Sequence, residues 1–318
     1  MRKKALICGV SGQDGAYLAR LLINKNYVVY GTSRDIQSTS FIKLEKLGIR
    51  DKVTLFSMAP EDFRSVLIVL QSESFDEIYF LAGQSSVALS FNQPADTMKS
   101  ISLGTLNLLE AARMLNYQTR IYFAGSSEIF GDTNGKPANE KTPFRPKSPY
   151  AIAKASSFFL VDNYRESYGL FVCTGILFNH ESCIRPEHFV TQKIVSAARR
   201  IASGSNEILE LGCLDISRDW GWAPDYVVAM WQMLQLDAPE DFVISSGKSN
   251  SLKEFVRLAF NHYNLDWEKH VRHNPSLLRP SDIFHSIGDS TNAQEKLGWR
   301  SNKTLQDIVL NMANCEKL

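Results

Sequence analysis

Short apolar runs alternate with longer amphipathic segments in the first half of the chain. Six runs rich in β-branched and aromatic residues predict strands: KALICGV, YVVYGTS, VTLFSM, DEIYFLAG, RIYFAGSSEIFG and FVCTGILFN. The intervening segments GAYLARLLINKN, FRSVLIVLQSE, MKSISLGTLNLLEAARMLN and YAIAKASSFFLVDNYRESYG predict helices. Because strands that are apolar on both faces alternate with helices, we predict an α/β fold with a doubly wound parallel sheet up to about Phe178.

The alternation changes after Phe178. A polar turn, NHESCIRPEH, precedes a helix in FVTQKIVSAARRIASG, a strand in EILELG, a loop in CLDISRDWGWAPD and a helix in YVVAMWQMLQL. A further helix in SLKEFVRLAFNHYNL is followed by an irregular stretch and a helical tail. We predict a larger sheet domain, 1–178 plus roughly 212–247, and a smaller C-terminal domain, 179–211 with 248–318.

The composition excludes some classes of partner. The chain has 318 residues, 44% hydrophobic and 22% charged, with a formal net charge of +1. This balance argues against nucleic acid and anionic membranes as partners, and it requires local cations for any anionic ligand. No apolar run approaches the ~20 residues that cross a bilayer.

The cysteines favour a reducing compartment. They are odd in number and lack the paired spacing of a metal site, so we predict no disulfide framework, no zinc site and no other metal. The basic start of the chain is followed by an apolar run too short for a signal peptide. We expect a cytoplasmic protein.

Three glycines lie where the first predicted strand meets the first predicted helix. Gly9, Gly12 and Gly15 form G-x-x-G-x-x-G. Without a Cβ, they permit a tight turn and let backbone N–H groups and the helix N-terminus approach a pyrophosphate. Their position in the first β/α unit predicts a nicotinamide dinucleotide site.

The end of the second predicted strand bears on the choice between NAD and NADP. An NAD site usually presents an acid there, which binds the ribose hydroxyls. This strand ends in GTSRD, so Ser33 and Arg34 offer a hydroxyl and a cation to a 2′-phosphate. We predict NADP, with NAD left possible by Asp35.

Four residues form a candidate catalytic set. Ser126 and Glu128 lie two residues apart on a predicted strand, which directs both side chains to one face. In PKSPYAIAK, a serine can cap a helix that begins at the proline. Tyr150 and Lys154 then lie one helical turn apart, so that the lysine can act on the tyrosine.

This set predicts oxidation followed by loss of water. A phenol has a pKa near 10, and lowering it by ~3 units requires roughly 4 kcal/mol, which we expect an ammonium and a bound nicotinamide to supply. Tyr150 could then deprotonate a sugar hydroxyl that Ser126 positions. Because oxidation alone needs no carboxylate, Glu128 predicts elimination from the resulting ketone, after which the cofactor returns its hydride.

These residues and several further segments resemble the extended short-chain dehydrogenase/reductase family. The resemblance covers nearly the whole chain, including GVSGQDGAYLARLL, LAGQSSVALSF, TPFRPKSPYAIAK and SRDWGWAPDYVVAMW. GILFNHES with RDWG is similar to the GDP-mannose 4,6-dehydratase group within that family. The resemblance implies a Rossmann domain, a smaller C-terminal substrate domain, a lyase that makes GDP-4-keto-6-deoxymannose, and a homodimer or homotetramer.

The resemblance also implies roles for individual residues. Ser126 stands where relatives usually carry threonine, Glu128 is the acid/base for elimination, and Tyr150 with Lys154 performs the oxidation. Predicted cofactor contacts are Gly9, Gly12, Gln13, Asp14, Gly15, Ser33, Arg34, Leu81, Ala82, Tyr150 and Lys154. Predicted GDP-sugar contacts are Ser85, Asn179, Arg185, Lys193, Arg218 and Arg279. The aspartate that often binds the adenine after the third strand is missing from its usual position. Asp62 is either this aspartate at a displaced position or a substitute for it.

Three alternatives stay open at this point. The same dehydration could act on another GDP-sugar, such as a GDP-manno-heptose. An epimerase or reductase of the same family would use Ser126, Tyr150 and Lys154 and would have no use for Glu128. A scaffold or cofactor-sensing protein has no physical requirement for the complete set.

Overall fold

The computed structural model describes residues 2–116 and 118–315; Met1, Tyr117 and 316–318, which the predicted domains include, lie outside the described residues. The strands are β1 (Lys4–Cys8), β2 (Val28–Ser33), β3 (Val53–Ser57), β4 (Glu77–Phe80), β5 (Arg120–Ala124), β6 (Val172–Leu177), β7 (Asn179–Glu181), β8 (Leu209–Leu211), β9 (Ser217–Trp222), β10 (Phe242–Ile244), β11 (Ser249–Ser251) and β12 (Val271–His273).

The helices connect and cover these strands. They are α1 (Gln13–Asn24), α2 (Ile42–Lys46), α3 (Phe63–Ser72), α4 (Val87–Asn92), α5 (Pro94–Met98), α6 (Gly104–Met114), α7 (Pro149–Tyr168), α8 (Val190–Ala202), α9 (Ala223–Met233), α10 (Leu252–His262), α11 (Trp267–His270), α12 (Thr291–Leu297) and α13 (Leu305–Ala313). Within residues 2–116 and 118–315, none of the helices is long and apolar enough to cross a lipid bilayer.

Seven parallel strands form the main sheet, in the order β10-β6-β5-β4-β1-β2-β3. In its centre, β1 pairs with β2 on one side and β4 on the other, with Leu6 opposite both Tyr30 and Ile78. The strand order reverses at β1, which opens a crevice at the carboxyl ends of β1 and β4. The predicted doubly wound parallel sheet is confirmed.

Both faces of this sheet are covered. Ala5 and Ile7 of β1 belong to one hydrophobic cluster, which includes residues of α1 and α9, whereas Leu6 and Cys8 belong to a second cluster with residues of α3 and α6. Alternate residues of one strand therefore enter two separate cores. This explains why the strands are apolar on both faces.

A third hydrophobic cluster lies beside two small sheets. It includes residues of α8, α10 and α13, among them Ile194, Phe255 and Ile308. The small sheets have the orders β11-β9-β7 and β12-β8. The domain boundaries given above stay a prediction, although β10 lies in the main sheet.

Several short strands were missed in the sequence, among them β7 and β9. The segment predicted as a loop contains β9, and the segment predicted as a polar turn begins with β7. Asn179 of β7 lies opposite Trp220 of β9, so the two short strands pair with each other across about forty residues of chain. Neither has an isolated alternating pattern long enough to be recognised.

One cysteine pair also corrects the sequence prediction. Cys183 and Cys315 form a disulfide with a Cα–Cα distance of 5.3 Å, and 132 residues separate them in the chain. The expectation of no disulfide was therefore wrong for this pair. The bridge joins the segment after β7 to the end of α13, and only the tertiary fold brings these segments together.

Candidate active site

A cavity of about 560 Å³ lies where β1, β2 and β4 end. This is the place at which open α/β sheets bind their ligands. The lining contains nine of the predicted cofactor residues: Gly9, Gly12, Gln13, Asp14, Gly15, Ser33, Arg34, Leu81 and Ala82.

The glycine turn has no room for side chains at two positions. Gly9 has a φ of +89°, and a Cβ there would lie 3.0 Å from the backbone N of Ala82. A Cβ on Gly15 would collide with the carbonyl O of Gly9 and lie 2.7 Å from Val10 Cα. Gly12 is the N-cap of α1, so the free N–H groups of the helix face this turn. The cradle fits a pyrophosphate that approaches the backbone closely.

The first two residues of α1 bind the segment around β7. Gln13 Oε1 accepts a hydrogen bond from Ser182 Oγ at 2.7 Å, and Gln13 Nε2 donates to the His180 carbonyl at 3.2 Å. Asp14 Oδ2 lies 2.9 Å from His180 Nε2. Burial raises the pKa of Asp14, but its interactions, chiefly with His180, outweigh this effect and the pKa falls to about 2. Burial lowers the pKa of His180, but its interactions, chiefly with Asp14, outweigh this effect and the pKa of His180 is raised. The glycine turn is thereby joined to β7.

Two cations reach the cavity near the end of β2. Arg34 is exposed and lines the cavity beside Ser33, whose Oγ shares a hydrogen bond with Thr39 Oγ1 at 2.7 Å. Lys43 of α2 also lines it and donates from Nζ to the carbonyl O of Ser11 at 2.9 Å.

The residues after β3 settle the position of Asp62. Its carboxylate accepts a hydrogen bond from the Arg64 backbone N at 2.9 Å and caps α3. Glu61 lines the cavity instead, and its buried Oε2 has no hydrogen-bond partner in the described chain. A carboxylate therefore does face the cavity after β3, one residue before the position considered in the sequence.

Ser126 and Glu128 are held by a turn and not by a strand. β5 ends at Ala124, and Ser127–Phe130 forms a 3₁₀ helix, so the strand predicted through Glu128 is wrong there. Ser126 caps this short helix, and its Oγ accepts a hydrogen bond from the Glu128 backbone N at 3.3 Å. A serine can satisfy a free helix N–H group in this way, and this preference competes with strand formation.

The predicted start of α7 is confirmed. Ser148 Oγ accepts a hydrogen bond from the Ala151 backbone N at 3.1 Å, and Pro149 is the first residue of the helix. Tyr150 and Lys154 follow on one buried face, with exposed fractions of 8% and 7%. The Lys154 ammonium lies 5.8 Å from the centroid of the Tyr150 ring.

The pKa of Tyr150 differs from the expectation. Burial raises it to about 12, against the effect of a hydrogen bond with Ser126, and the charge of Glu128 raises it further. Burial lowers the pKa of Lys154 to about 8, and its Nζ donates to the carbonyl O of Ala124 at 2.7 Å. Lys154 thus interacts with the backbone of β5, and it does not by itself convert Tyr150 into a phenolate.

Glu128 lies near two of the predicted substrate contacts, Arg218 and Arg279. Burial raises the pKa of Glu128, while the charges of Arg218 and Arg279 act to lower it. Arg218 is only 5% exposed; its Nη2 lies 3.2 Å from Asp282 Oδ1, and its Nη1 donates to the Ile283 carbonyl at 2.6 Å. Arg279 Nη1 lies 3.8 Å from the same Asp282 oxygen. The carboxylate is therefore sheltered and electrostatically coupled to both arginines.

The catalytic candidates lie beside the cavity lining and do not form part of it. Asp14 and Arg185 provide the link, because both line the cavity and their charges act on Tyr150. Ser85 also lines the cavity. Arg185 Nε lies 3.1 Å from Glu181 Oε2, and its guanidinium stacks 3.6 Å from the centroid of the Phe189 ring.

The other two predicted substrate contacts have partners inside the protein. Lys193 donates from Nζ to the carbonyl O of Glu210 at 2.8 Å. Asn179 takes part in the pairing of β7 with β9. Sequence reasoning missed His180, Lys43 and Glu61: the first lies inside the recognised FNHES segment, whereas the other two carry no local signal.

Comparisons with known proteins agree on one family. A family model described as GDP-mannose 4,6 dehydratase matches residues 6–312. The GDP-mannose 4,6-dehydratase of Sinorhizobium fredii is 41% identical over 335 residues, covering 98% of this chain and 95% of the relative. The GDP-mannose 4,6 dehydratase 1 of Arabidopsis thaliana is 41% identical over 323 residues, covering 98% and 89%.

Solved structures show the same fold. The dTDP-glucose 4,6-dehydratase of Streptomyces venezuelae with NAD and TYD bound has a TM-score of 0.88 at 20% identity, covering 99% of this chain and 97% of that one. The UDP-glucose 4-epimerase of Thermus thermophilus in complex with NAD has a TM-score of 0.86 at 22% identity, covering 98% of each chain. Because the family model and the relatives match nearly the full length of the sequence, the chain belongs to the GDP-mannose 4,6-dehydratase family.

Proposed function

We propose that the protein is a lyase, an NADP-dependent GDP-mannose 4,6-dehydratase that converts GDP-mannose to GDP-4-keto-6-deoxymannose. The observation that carries this proposal is the grouping of Ser126, Glu128 and Tyr150, in which Tyr150 interacts with both of the others. The names of the full-length relatives supply the substrate class.

The dinucleotide would occupy the cavity at the carboxyl ends of the central strands. The glycine turn suits its pyrophosphate, and the buried, unpartnered Glu61 Oε2 can accept a hydrogen bond from the adenosine part. Arg34 and Ser33 favour NADP over NAD. When bound, the dinucleotide would supply the acceptor for the hydride from C4 of the sugar and the donor for its return to C6, and C5 would regain a proton from solvent.

Tyr150 removes the proton from the sugar 4-hydroxyl during oxidation. Its pKa of about 12 in the chain alone means that the phenolate needs further positive charge before it becomes a base at neutral pH. The hydrogen bond to Ser126 favours the phenolate and fixes the direction of the oxygen. Lys154 holds the helix face of Tyr150 against β5 through the Ala124 carbonyl.

Glu128 carries the elimination. A ketone at C4 acidifies the hydrogen on C5, so a nearby carboxylate can remove it and then protonate the hydroxyl that leaves from C6. Burial raises the pKa of Glu128, which helps it to retain that proton between the two transfers. The charges of Arg218 and Arg279 act against this increase.

The GDP part of the substrate would extend from this acid toward the smaller sheets. We propose that Arg218, Arg279 and Arg185 bind its diphosphate, because an almost neutral protein needs local cations for a doubly charged group. Ser85, Asn179 and Lys193 stay proposed contacts to the sugar and nucleotide.

We also propose a homodimer formed through α6 and α7, with a homotetramer as the larger possibility. Met114, Ile152, Phe159 and Tyr168 are between 49% and 59% exposed on or beside these helices. Light scattering of the purified protein measures the assembly directly.

The cytoplasmic location stays a prediction. It rested partly on the expectation of reduced thiols, and the Cys183–Cys315 bridge disagrees with that expectation.

The decisive experiment is mass spectrometry of products after incubation with GDP-mannose and NADP. We expect a nucleotide sugar lighter by one water, no net reduction of the cofactor, and no turnover by Tyr150→Phe that still binds nucleotide. A C4 epimer of unchanged mass would indicate an epimerase, and faster dehydration of a GDP-manno-heptose would change the substrate. A scaffold protein would give no product and would keep its role in Tyr150→Phe.

A further inference from the structure

Lys43 is fixed at the cavity although its helix is short. α2 has five residues, too few to be stable alone, but Phe41 and Leu44 on either side of Lys43 are buried in the core. The ammonium donates one hydrogen bond to the Ser11 carbonyl, at the tip of the glycine turn. Its position is therefore set by the fold, with two N–H donors left for other groups.

The charge of Lys43 is not balanced by an acid. Its pKa is lowered by burial and by the neighbouring cation Lys46, and among residues 2–116 and 118–315 no carboxylate forms an ion pair with it. A half-buried ammonium without a counter-charge is unfavourable, and an anionic ligand in the cavity would relieve this.

The position of Lys43 in the cavity indicates which anionic group of a ligand it would bind. The pyrophosphate of a dinucleotide is expected at the glycine turn and the N-terminus of α1, where backbone N–H groups meet it. The adenosine ribose is expected beside the end of β2, where Ser33 and Arg34 line the same cavity as Lys43. The hydrogen bond between Ser33 and Thr39 ties the end of β2 to the segment that leads into α2.

We propose that Lys43 is a specificity-determining residue that binds the 2′-phosphate of NADP together with Arg34. A phosphate monoester carries roughly −1.5 to −2 at neutral pH, so two cations match it better than one. NAD has only a hydroxyl at this position and would gain nothing from Lys43. This inference rests on the proposed use of a dinucleotide and extends it to the choice between NAD and NADP.

The competing interpretation is that Lys43 only supports the glycine turn through Ser11. In that case its loss would weaken NAD and NADP alike, because both have the pyrophosphate. The two interpretations therefore differ in a ratio of affinities and not in a single value. Lys46 provides a matched control: it lies one turn further on the same helix, is exposed, and does not line this cavity.

The test is calorimetric titration of the full chain with four probes: NADP, NAD, adenosine 2′,5′-bisphosphate and adenosine 5′-monophosphate. For Lys43→Met we expect Kd to rise about tenfold or more for the two probes with a 2′-phosphate and by less than about twofold for the other two. Lys46→Met should change all four by less than about twofold, and Lys43→Arg should retain the preference for NADP. Added salt should weaken NADP binding more in the wild type than in Lys43→Met.

Equal weakening of NAD and NADP in Lys43→Met would overturn the proposal in favour of support for the turn. Unchanged NADP binding in that variant would overturn it as well. A wild-type protein that prefers NAD yet still dehydrates GDP-mannose would refute only the role of Lys43. A wild type that binds neither dinucleotide would refute the proposed function together with this inference.

Discussion

The proposed cofactor side of the site, around the glycine turn, and the proposed substrate side, around Arg218, use their cations differently. On the cofactor side, Arg34 is exposed at a cavity, and the one hydrogen bond that Lys43 donates within the described part of the chain goes to a backbone carbonyl. On the substrate side, Arg218 is buried and bonds with Asp282 and with two carbonyl groups, of Ser217 and Ile283. The first two cations face a cavity and are available to a ligand or to solvent. The contacts of Arg218 on the substrate side also stabilise the folded chain.

This difference affects how mutations can be interpreted. Loss of a cation that faces a cavity changes binding and leaves the folded chain intact. Loss of a buried, bonded cation changes stability as well, because its partner is left without a counter-charge. A variant on the cofactor side that loses turnover can therefore be interpreted as a loss of binding. On the substrate side, the same loss of turnover can come from weaker binding or from lower stability.

The largest expected effect lies between the two sides, at Glu128. Glu128→Gln should lower the rate of dehydration by about 10²–10⁴-fold, because the amide can neither take nor return a proton. Calorimetry should show unchanged binding of NADP. Glu295→Gln, at an exposed position on α12, is the control and should keep full activity. Normal dehydration by Glu128→Gln would remove this residue from the mechanism.

Next in size is a direct comparison of two arginines. Arg218→Met should lower the free energy of unfolding by about 1–3 kcal/mol, since two carbonyl groups lose their donor and Asp282 keeps only the longer contact with Arg279. Arg34→Met should change it by less than about 0.5 kcal/mol while weakening NADP. Urea denaturation measures both. Equal stability of the two variants would mean that Arg218 serves substrate binding alone.

Alanine substitutions at two glycines compare how tightly the backbone is packed on the two sides. Gly15→Ala should cost about 1–3 kcal/mol and weaken NADP, because its Cβ meets the rigid backbone of the glycine turn. Gly212→Ala, on the substrate side, places its Cβ 3.1 Å from the Leu277 carbonyl O, and we expect less than about 1 kcal/mol. Thermal denaturation with and without NADP compares them. A larger loss in Gly212→Ala would show that the substrate side is the more rigid one.

The smallest effect concerns the contact between the two sides, the ion pair of Asp14 with His180. Folding raises the pKa of His180, so its contribution is complete below about pH 6.5 and is lost as the pH rises through the folded value. Folding lowers the pKa of Asp14 to about 2, so its contribution is present above about pH 4 and is lost toward pH 2.

His180→Gln should therefore be less stable than the wild type mainly between about pH 4 and 6.5, by on the order of 1 kcal/mol. The difference should narrow by about pH 9. Urea denaturation across this range measures it, with the exposed His273→Gln as the control. A difference that does not depend on pH would assign His180 a packing role only, for example through its stacking on Tyr226 at 4.5 Å.

Local rules succeeded where a few neighbouring residues decide the geometry. The start of α7 followed from a capping serine and a proline, and these also placed Tyr150 and Lys154. The prediction failed at β5, where Ser126 ends the strand by capping the next turn, and at β7 and β9, which are strands because they pair with segments distant in the chain. The missed Lys43 and Glu61 are ordinary charges in the sequence and gain meaning only from the cavity.

The sequence by itself determined the parallel sheet, because its strands are apolar on both faces and alternate with helices. It also determined the glycine turn and the helical spacing of the catalytic candidates, because steric limits and hydrogen bonds between near neighbours dictate them. The tertiary structure alone decided which distant groups meet. Asp14 and His180 are 166 residues apart and Cys183 and Cys315 are 132 apart, and no local pattern encodes such contacts. The protonation of Tyr150 and Glu128 belongs to this second class, since burial, which only packing creates, shifts both pKa values most.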